Sequence, residues 1–360
     1  MNILMVWARF FPEMGGIETH MYEVGKRLQA DGHRVTILTT DRSGTLPAKE
    51  IVSDMDVVRV RAWPRNSDIY LAPGVAWAIL RSRWDVIHIQ GYHTLVAPLA
   101  MIAAWLSRQM YVITFHSGGH SSAVRRSLRG LQHRILRPLV RRAAQRIGVS
   151  EYEAATFSRT MKIDPAQFMV IPNGVTPFTA PARSLSTTDT IVSIGRLERY
   201  KGHHRAIEAF AHLLPHKPHT DLHIVGAGPY REELIELAHR LGVEDHVHIY
   251  AIDPSDRARL MDTVGNASLV VLLSDYEAHP VAVMEALSLR RKVLATHCSG
   301  FIELAARDWI STVPPEANAD EIANAMLQAM EDPCCADVRL PSWDNAAHMI
   351  ENVYGAVARA

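Results

Sequence analysis

Residues 269–280, LVVLLSDYEAHP, contain the strand, the loop and the helix start on which the predicted fold rests. The apolar run Leu269–Leu273 predicts a buried strand, and the polar residues that follow it have no apolar period. Pro280 suits the first position of a helix. In parallel α/β sheets, ligands bind at the loops that follow the carboxyl ends of the strands. The stretch therefore predicts an α/β protein with a binding loop at Asp275–His279.

Two glutamates accompany this stretch. Glu277 lies in the predicted loop, and Glu285 lies about one and a half turns into the predicted helix. An ionised carboxylate only accepts hydrogen bonds, so two of them facing one crevice suit the vicinal hydroxyls of a sugar or a ribose. The alternative is that Glu285 is a solvated helix residue and Glu277 an ordinary loop charge. The pair alone does not decide between these interpretations.

The composition is that of a globular protein with two domains. At 360 residues the chain exceeds one typical domain. It has 38 basic and 38 acidic residues and is 48% hydrophobic, which argues against general nucleic-acid binding. Its cysteines, Cys298, Cys334 and Cys335, lack metal-ligand spacing, so we expect no disulfide and no structural zinc. Without a signal-peptide core or a long apolar span, a cytoplasmic location is expected.

Short β-rich runs alternate with helical stretches in both halves of the chain. Examples are Ile3–Val6 and Val35–Leu38 in the first half, and Ile191–Ile194 and Leu222–Val225 in the second. This alternation predicts two Rossmann-like domains with parallel sheets. The expected division is 1–175 for the first domain, 176–190 for a linker, 191–341 for the second domain and 342–360 for a carboxyl-terminal helix that returns to the first domain.

Glycine-containing loops with basic residues follow several predicted strands. Gly15 and Gly16 precede the first helix, where backbone N–H groups can approach an anion, although most such pairs are only turns. In the second half, Gly195 and Arg196 follow a strand, and Lys201 precedes a helix. Arg196 and Lys201 can clamp a diphosphate without a metal ion, through a bidentate fork and a point charge. The alternative is that both are solvated loop residues.

Two further patterns argue against other kinds of site. Gly226 and Gly228 follow a strand, but Tyr230-Arg231 stand where a dinucleotide fingerprint has its last glycine, which excludes a nicotinamide-cofactor motif. Asp54-Met55-Asp56 has the Asp-x-Asp pattern of some metal sites, yet it precedes a strand, so we interpret it as a turn. We therefore predict no metal ligands.

His116 follows the predicted strand Val112–Phe115 and is a candidate hydrogen-bond donor or acid–base group. The chain has 19 histidines, so a structural role is the alternative for any one of them. On the same side, we expect Tyr92, His93 and His120 to line an acceptor pocket. Their residue types suit sugars, aminocyclitols or lipid head groups alike.

In combination, these motifs resemble the retaining glycosyltransferase family 4, in order and spacing and over nearly the whole chain. The resemblance implies the GT-B fold, in which two Rossmann-like domains face a central cleft and the second holds the nucleotide sugar. The residues that carry it are Gly15-Gly16-x-Glu18, Ile171-Pro172-Asn173-Gly174-Val175, Gly195-Arg196-Leu197, Lys201-Gly202, Val225-Gly226-x-Gly228-Pro229 and Glu277 with Glu285.

The resemblance also implies roles for individual residues. Arg196 and Lys201 would hold the donor diphosphate, while Glu277 would bind the sugar hydroxyls. Glu285 would bind the ribose, and His116 would contact the sugar or the reacting centre. The implied catalytic residues are His116, Arg196, Lys201 and Glu277, and the implied donor-binding residues are Gly15, Gly16, Asn173, Gly195, Arg196, Lys201, Gly226, Gly228, Glu277, His279, Val281 and Glu285.

In enzymes of this kind a phosphate oxygen of the leaving group is thought to take the acceptor proton, so no protein nucleophile is implied. No cofactor is expected either, because the nucleoside diphosphate sugar is a substrate. The sequence departs from the family where Phe-Gly is common and His279-Pro280 stand here. Pro280 has no N–H to offer a sugar, which leaves the donor hexose less defined than the reaction.

The stretch Arg125–Arg146 contains eight arginines and no acidic residue, with Leu128, Leu131, Ile135 and Leu139 at helical spacing. It predicts a basic amphipathic helix that can make peripheral contact with an anionic membrane. The favoured interpretation is a crossover helix whose apolar stripe packs on the sheet.

We therefore expect hexosyl transfer from UDP-glucose or UDP-N-acetylglucosamine to an acceptor hydroxyl, with retention and without a metal ion. The acceptor would belong to a polysaccharide, a glycolipid or a natural product. The alternatives are a sugar-nucleotide epimerase of the same architecture, a GDP-mannose-dependent mannosyltransferase and a non-catalytic protein that binds nucleotide sugar and needs a partner.

Overall fold

The computed structural model describes residues 1–13, 15–65, 70–92, 94–116, 123–176, 189–253, 256–331 and 338–359. Two compact units account for the chain. The first unit contains Met1–Ser117, Val124–Gly174 and Pro341–Ala360, and the second contains Val175–Leu340. Most of the predicted linker, residues 177–188, lies outside the described residues.

An eight-stranded sheet forms the centre of the first unit, in the order β3-β4-β2-β1-β5-β6-β7-β8. Its strands are β1 (Asn2–Val6), β2 (Arg34–Asp41), β3 (Lys49–Val52), β4 (Met55–Arg61), β5 (Val86–Gln90), β6 (Tyr111–Phe115), β7 (Gln145–Gly148) and β8 (Phe168–Val170). All neighbours pair in parallel except β3, which pairs antiparallel with β4. The parallel sheet that was predicted therefore has one antiparallel edge strand. Ser53 and Asp54 form the turn of this hairpin with positive φ angles, as interpreted for Asp54.

Six helices of the first unit have described bounds. They are α1 (Gly16–Ala30), α2 (Pro73–Arg81), α3 (Val96–Leu106), α4 (Ala123–Arg142), α5 (Glu151–Met161) and α12 (Trp343–Ala358). The carboxyl-terminal helix α12 packs against the first sheet, where the Tyr354 hydroxyl lies 2.5 Å from Nδ1 of His88. Ser342 caps its first turn by accepting from the Asn345 N–H. The predicted return of this helix to the first domain is confirmed.

The basic helix α4 connects the parallel neighbours β6 and β7, but it differs from the predicted helix in its end and its buried face. It ends at Arg142, and Arg146 lies in β7, where its guanidinium donates to the carbonyl oxygen of Val140. This bond satisfies a carbonyl that the last helical turn leaves without a partner. Leu136 and Val140 are buried one turn apart, whereas Ile135 is 63% exposed. Packing on the sheet therefore selects a stripe one residue away from the predicted one. Among the described helices, none is long and apolar enough to span a membrane.

A six-stranded parallel sheet forms the centre of the second unit, in the order β11-β10-β9-β12-β13-β14. Its strands are β9 (Asp189–Ile194), β10 (Thr220–Val225), β11 (Val247–Tyr250), β12 (Leu269–Leu272), β13 (Val293–Thr296) and β14 (Ser311–Val313). Its helices are α6 (His203–Leu213), α7 (Arg231–Arg240), α8 (Arg257–Gly265), α9 (Val281–Ser288), α10 (Phe301–Ala305) and α11 (Ala319–Glu331). Separate buried clusters form around Phe210 and Phe301.

Candidate active site

The loops after β9, β12 and β13 carry the predicted charged residues of the second unit. Because β9 pairs with β12, and β12 with β13, the loops that follow them lie side by side. Lys201, after β9, and Glu277, after β12, form an ion pair with 2.5 Å between Nζ and Oε1. The predicted diphosphate cation and the predicted sugar-binding carboxylate are thus in direct contact.

Hydrogen bonds from three loops hold Glu277. The hydroxyl of Ser274 donates to Oε1 over 3.0 Å. The backbone N–H of Glu277 donates to Oγ of Ser299, over 2.9 Å, and its carbonyl accepts from the N–H of Gly300, over 2.8 Å. A carboxylate fixed at its backbone and at its head is set before a substrate arrives, which is what precise recognition requires.

Lys201 is largely buried, yet it stays charged. Burial acts to lower the pKa of its ammonium group, but the attraction and the hydrogen bond of Glu277 outweigh burial, and the pKa is raised above its ordinary value. The neighbouring Arg196 opposes this charge, so the two cations are close together. The side chain of Arg196 is 48% exposed, pairs with Glu198 at 3.0 Å and donates to the Tyr200 hydroxyl at 2.9 Å. The loop after β9 therefore offers one buried and one accessible cation.

The predicted donor-site glycines allow two loops of this unit to approach each other closely. A Cβ atom at Gly226 would lie 1.9 Å from the carbonyl oxygen of Gly195. A Cβ atom at Gly228 would lie 2.4 Å from the carbonyl oxygen of Leu197. Both contacts are impossible for a side chain, so Gly226 and Gly228 hold the loop after β10 against the loop that carries Arg196.

Glu285 lies in α9 and has a different counter-ion from Glu277. Its carboxylate pairs with the guanidinium of Arg257, at 2.5 Å, and its side chain is 7% exposed against 48% for Arg257. Arg257 is the first residue of α8, and no motif in the sequence marked it. The two glutamates are thus held by separate cations, one from the loop after β9 and one from a helix.

The loop between the two glutamates begins α9 one residue later than predicted. Pro280 occupies the N-cap and the helix starts at Val281, whose backbone N–H lies at the positive end of the helix. His279 is buried, and burial, together with the nearby charge of Arg307, lowers its pKa to about 4. His279 is therefore neutral at pH 7.

In the first unit, the predicted glycine pair is at the start of a helix. Gly15 is the N-cap of α1 and Gly16 its first residue, so the orphan N–H groups of the first turn follow directly. Beside them, the indole N–H of Trp7 donates to Oε1 of Glu18 over 2.8 Å. The glycine loop is thus fixed to the end of β1.

Four polar side chains form a buried cluster in the first unit. Their rings and amides come from α1, β5, the end of β6 and the segment after β8. The His20 and His116 rings lie edge to face at 4.8 Å. Nδ1 of His20 donates to Oδ1 of Asn173 over 2.9 Å, and Nε2 of His116 to Oε1 of Gln90 over 2.8 Å. Burial lowers the pKa of His20 to about 4, against the opposing hydrogen bond of Asn173, so this imidazole is neutral.

Sequence reasoning had singled out His116 and Asn173 but missed His20 and Gln90. His20 comes four residues after Gly16, one turn inside the helix that follows the glycine loop. Gln90 is the last residue of β5, the strand beside β6. Both positions could have been found by asking which side chains lie next to the ends of the strands and helices already implicated.

The expectation for Tyr92 is wrong as far as its side chain is concerned. Tyr92 is 3% exposed and packs against Phe115, Phe157 and His133 in an aromatic core. Burying a large ring against other rings is favourable, and this outweighs leaving it in a pocket wall. The other predicted acceptor residues, His93 and His120, lie outside the described residues.

Two family models together match most of the chain. The model for Glycosyltransferase Family 4 matches residues 14–177, and the model for Glycosyl transferases group 1 matches residues 179–354.

Curated relatives align over almost the entire chain. Glycogen synthase from Mycobacterium tuberculosis is 27% identical, over 100% of this chain and 95% of the relative. A protein of the phosphatidylinositol N-acetylglucosaminyltransferase from Arabidopsis thaliana is 26% identical, over 98% and 81%. GDP-mannose:cellobiosyl-diphosphopolyprenol alpha-mannosyltransferase from Komagataeibacter xylinus is 24% identical, over 99% and 93%.

Solved structures share the fold. Sucrose-phosphate synthase from Thermosynechococcus elongatus superposes with a TM-score of 0.76 at 20% identity, over 99% of this chain and 96% of the other. HepE of Anabaena, in complex with UDP-glucose, superposes with a TM-score of 0.75 at 20% identity, over 99% and 98%. Such identities establish the two-domain architecture alone.

Proposed function

Because the chain belongs to glycosyltransferase family 4 and has the two Rossmann-like domains of the GT-B fold, we propose that it transfers a hexosyl group from a UDP-sugar to an acceptor hydroxyl with retention. It is a glycosyltransferase by family. The donor, the stereochemistry and the independence from metal are the parts that we propose.

The observation that carries the proposal is the contact between Lys201 and Glu277. In a transfer reaction, the bond between the anomeric carbon and the diphosphate breaks while the acceptor oxygen forms a new bond to that carbon. Negative charge grows on the leaving diphosphate, where Lys201 and Arg196 stabilise it. Glu277, held by Ser274 and the Ser299 loop, accepts hydrogen bonds from the sugar hydroxyls.

Retention follows in this proposal from attack on the same face as departure. A phosphate oxygen of the leaving group takes the proton of the acceptor hydroxyl, so the diphosphate is both leaving group and base. Glu277 does not act as a nucleophile, because its carboxylate is engaged by Lys201 and Ser274. The two cations supply charge stabilisation that a divalent metal ion supplies in other transferases.

UDP-glucose and UDP-N-acetylglucosamine are the proposed donors. Support comes from the names of similar proteins, since one neighbour was solved with UDP-glucose and one relative is named for N-acetylglucosamine transfer. A second candidate is GDP-mannose, because a relative of similar identity is named for it.

Release of nucleoside diphosphate from UDP-glucose, UDP-N-acetylglucosamine and GDP-mannose tests the donor, with EDTA present and a panel of hydroxyl acceptors. We expect one UDP-sugar to be turned over in EDTA, and an α-linked product by NMR of its anomeric proton. Turnover of GDP-mannose alone would replace the UDP proposal, and a β-linked product would exclude retention. Conversion of a UDP-sugar without any acceptor would indicate an epimerase.

A further inference from the structure

Three side chains at the edge of the second sheet bring metal-ligating atoms together. We propose that Asp221, His223 and His248 bind a Zn²⁺ ion. One ligand atom from each lies within 4.8 Å of the other two. The parallel register of β10 and the edge strand β11 puts His223 directly opposite His248. Asp221 lies on the same face of β10 as His223, because side chains two residues apart share a face.

The distances within this group are near those of a bound ion. The Nε2 atom of His248 lies 3.8 Å from Oδ2 of Asp221, and the two imidazole rings lie 4.9 Å apart. A tetrahedral ion with Zn–N and Zn–O bonds of about 2.0–2.2 Å requires ligand atoms about 3.3 Å apart. Rotations of about 1 Å close the difference, and these side chains can make them, since Asp221 is 28% exposed and His248 is 43% exposed.

Outer hydrogen bonds orient two of the ligands. Nδ1 of His223 lies 3.0 Å from the Tyr250 hydroxyl, which turns Nε2 towards the proposed ion. Nδ1 of His246 donates to Oδ1 of Asp221 over 3.0 Å, which leaves Oδ2 facing His248. Ligating histidines and carboxylates commonly have such outer partners, because the partner fixes the ring and the tautomer.

The protonation state and the ligand types favour Zn²⁺. Burial, and then the neighbouring His248, lower the pKa of His223, while Asp221 opposes them, so the imidazole is neutral and able to coordinate near pH 7. Two imidazoles and one carboxylate suit Zn²⁺ better than Mg²⁺ or Ca²⁺, which prefer oxygen ligands. A water molecule would complete the tetrahedron.

This ion would join the edge strand β11 to β10 and is distinct from the residues proposed for transfer. His223 precedes Gly226 by three residues, about 10 Å along the strand. Its expected role is to stabilise the sheet edge, so glycosyl transfer with EDTA present is compatible with it.

Calorimetric titration of the tag-free, EDTA-stripped full chain with Zn²⁺ tests the site. We expect one ion per chain and a rise in Tm. His223→Gln and His248→Gln should each abolish this binding, while Tyr250→Phe should weaken it about tenfold, as loss of an outer partner does. The matched control His239→Gln, on the exposed face of α7, should bind as the original chain does.

Two results would overturn the site. One is the absence of one-to-one binding at millimolar Zn²⁺. The other is binding that survives in both His223→Gln and His248→Gln, or that is lost in Glu277→Gln instead, because the ion would then sit elsewhere. Circular dichroism and the metal-free Tm of each variant separate loss of the ion from loss of the fold.

Discussion

The polar centres of the two units are both buried, but one is neutral and the other is charged. In the first unit, His20 and His116 donate to the amides of Asn173 and Gln90, and burial keeps the His20 imidazole neutral. In the second, Lys201 and Glu277 are a full ion pair. The first centre offers hydrogen bonds to an uncharged group, while the second balances the charge of a diphosphate.

The difference sets how sensitive each centre is to substitution. Removing one partner of a buried ion pair leaves an uncompensated charge and costs about 3–5 kcal/mol. Removing one neutral hydrogen bond costs about 1–3 kcal/mol when it leaves a buried group without a partner. We therefore expect substitutions in the second unit to have the larger effects on both activity and stability.

The largest effect is expected for Lys201→Ala, which should lower kcat/KM about 10³-fold, because a charge that stabilises the leaving diphosphate is lost. Steady-state release of nucleoside diphosphate measures it. The matched control is Arg199→Ala in the same turn, whose exposed guanidinium donates to Tyr230 and should leave kcat/KM within about twofold.

A double variant separates the chemical role of Lys201 from its structural role. Lys201→Met with Glu277→Gln removes both charges, so the free energy of unfolding should return most of the way to its original value. Activity should stay low. If the double variant regained turnover, the pair would be structural and the proposed site would be wrong.

A smaller loss is expected for Gly226→Ala. Its Cβ would lie 1.9 Å from the carbonyl oxygen of Gly195, so the loop that carries Arg196 must shift. A displacement of about 1 Å at a reacting group lowers the rate about 10²-fold. In the first unit, Gly130→Ala provides a control, because a Cβ there meets nothing within 4 Å. Equal activity of the two variants would contradict a role for loop packing in the site.

The sequence predicted single residues of these centres better than it predicted their partners. The strand, loop and helix of residues 269–280 are confirmed, because an apolar run and a proline are local signals. Lys201 and Glu277 were both named, but their contact joins residues 76 apart and depends on β9 lying beside β12. No local pattern encodes that strand order.

The same reason explains His20, Gln90 and Arg257, which have no motif of their own and act through neighbours distant in the sequence. Tyr92 shows the opposite error. Its position after a strand suggested a pocket wall, but three aromatic neighbours from other elements draw it into the core. Tertiary packing decided the outcome at each of these positions.

The third effect concerns the neutral centre. His116→Ala should lower kcat/KM about tenfold, since a neutral hydrogen bond contributes about 0.5–1.5 kcal/mol and about 1.4 kcal/mol is a factor of ten. The exposed His348→Ala in α12 is the control and should have no effect on kcat/KM. A loss as large as that of Lys201→Ala would mean that His116 acts on a developing charge, and the contrast between the two centres would fail.

The smallest effect at neutral pH is expected for His20→Gln, whose consequence is on acid stability. The folded pKa of His20 is about 4, below its ordinary value of 6.5, so the unfolded chain takes up the proton first as the pH falls. The stabilisation is complete above pH 6.5 and is lost towards pH 4. Between pH 7 and pH 5 it amounts to about 2 kcal/mol, from 1.36 kcal/mol for each pKa unit.

Urea titrations at pH 7 and pH 5 should therefore show a smaller acid loss of unfolding free energy for His20→Gln than for the original chain. The loss should not vanish, because burial also lowers the pKa of His203 and His279 in the second unit to about 4. An unchanged acid loss would mean that His20 is protonated in the folded chain. The first centre would then be charged as well, and its difference from the Lys201–Glu277 centre would be one of sign.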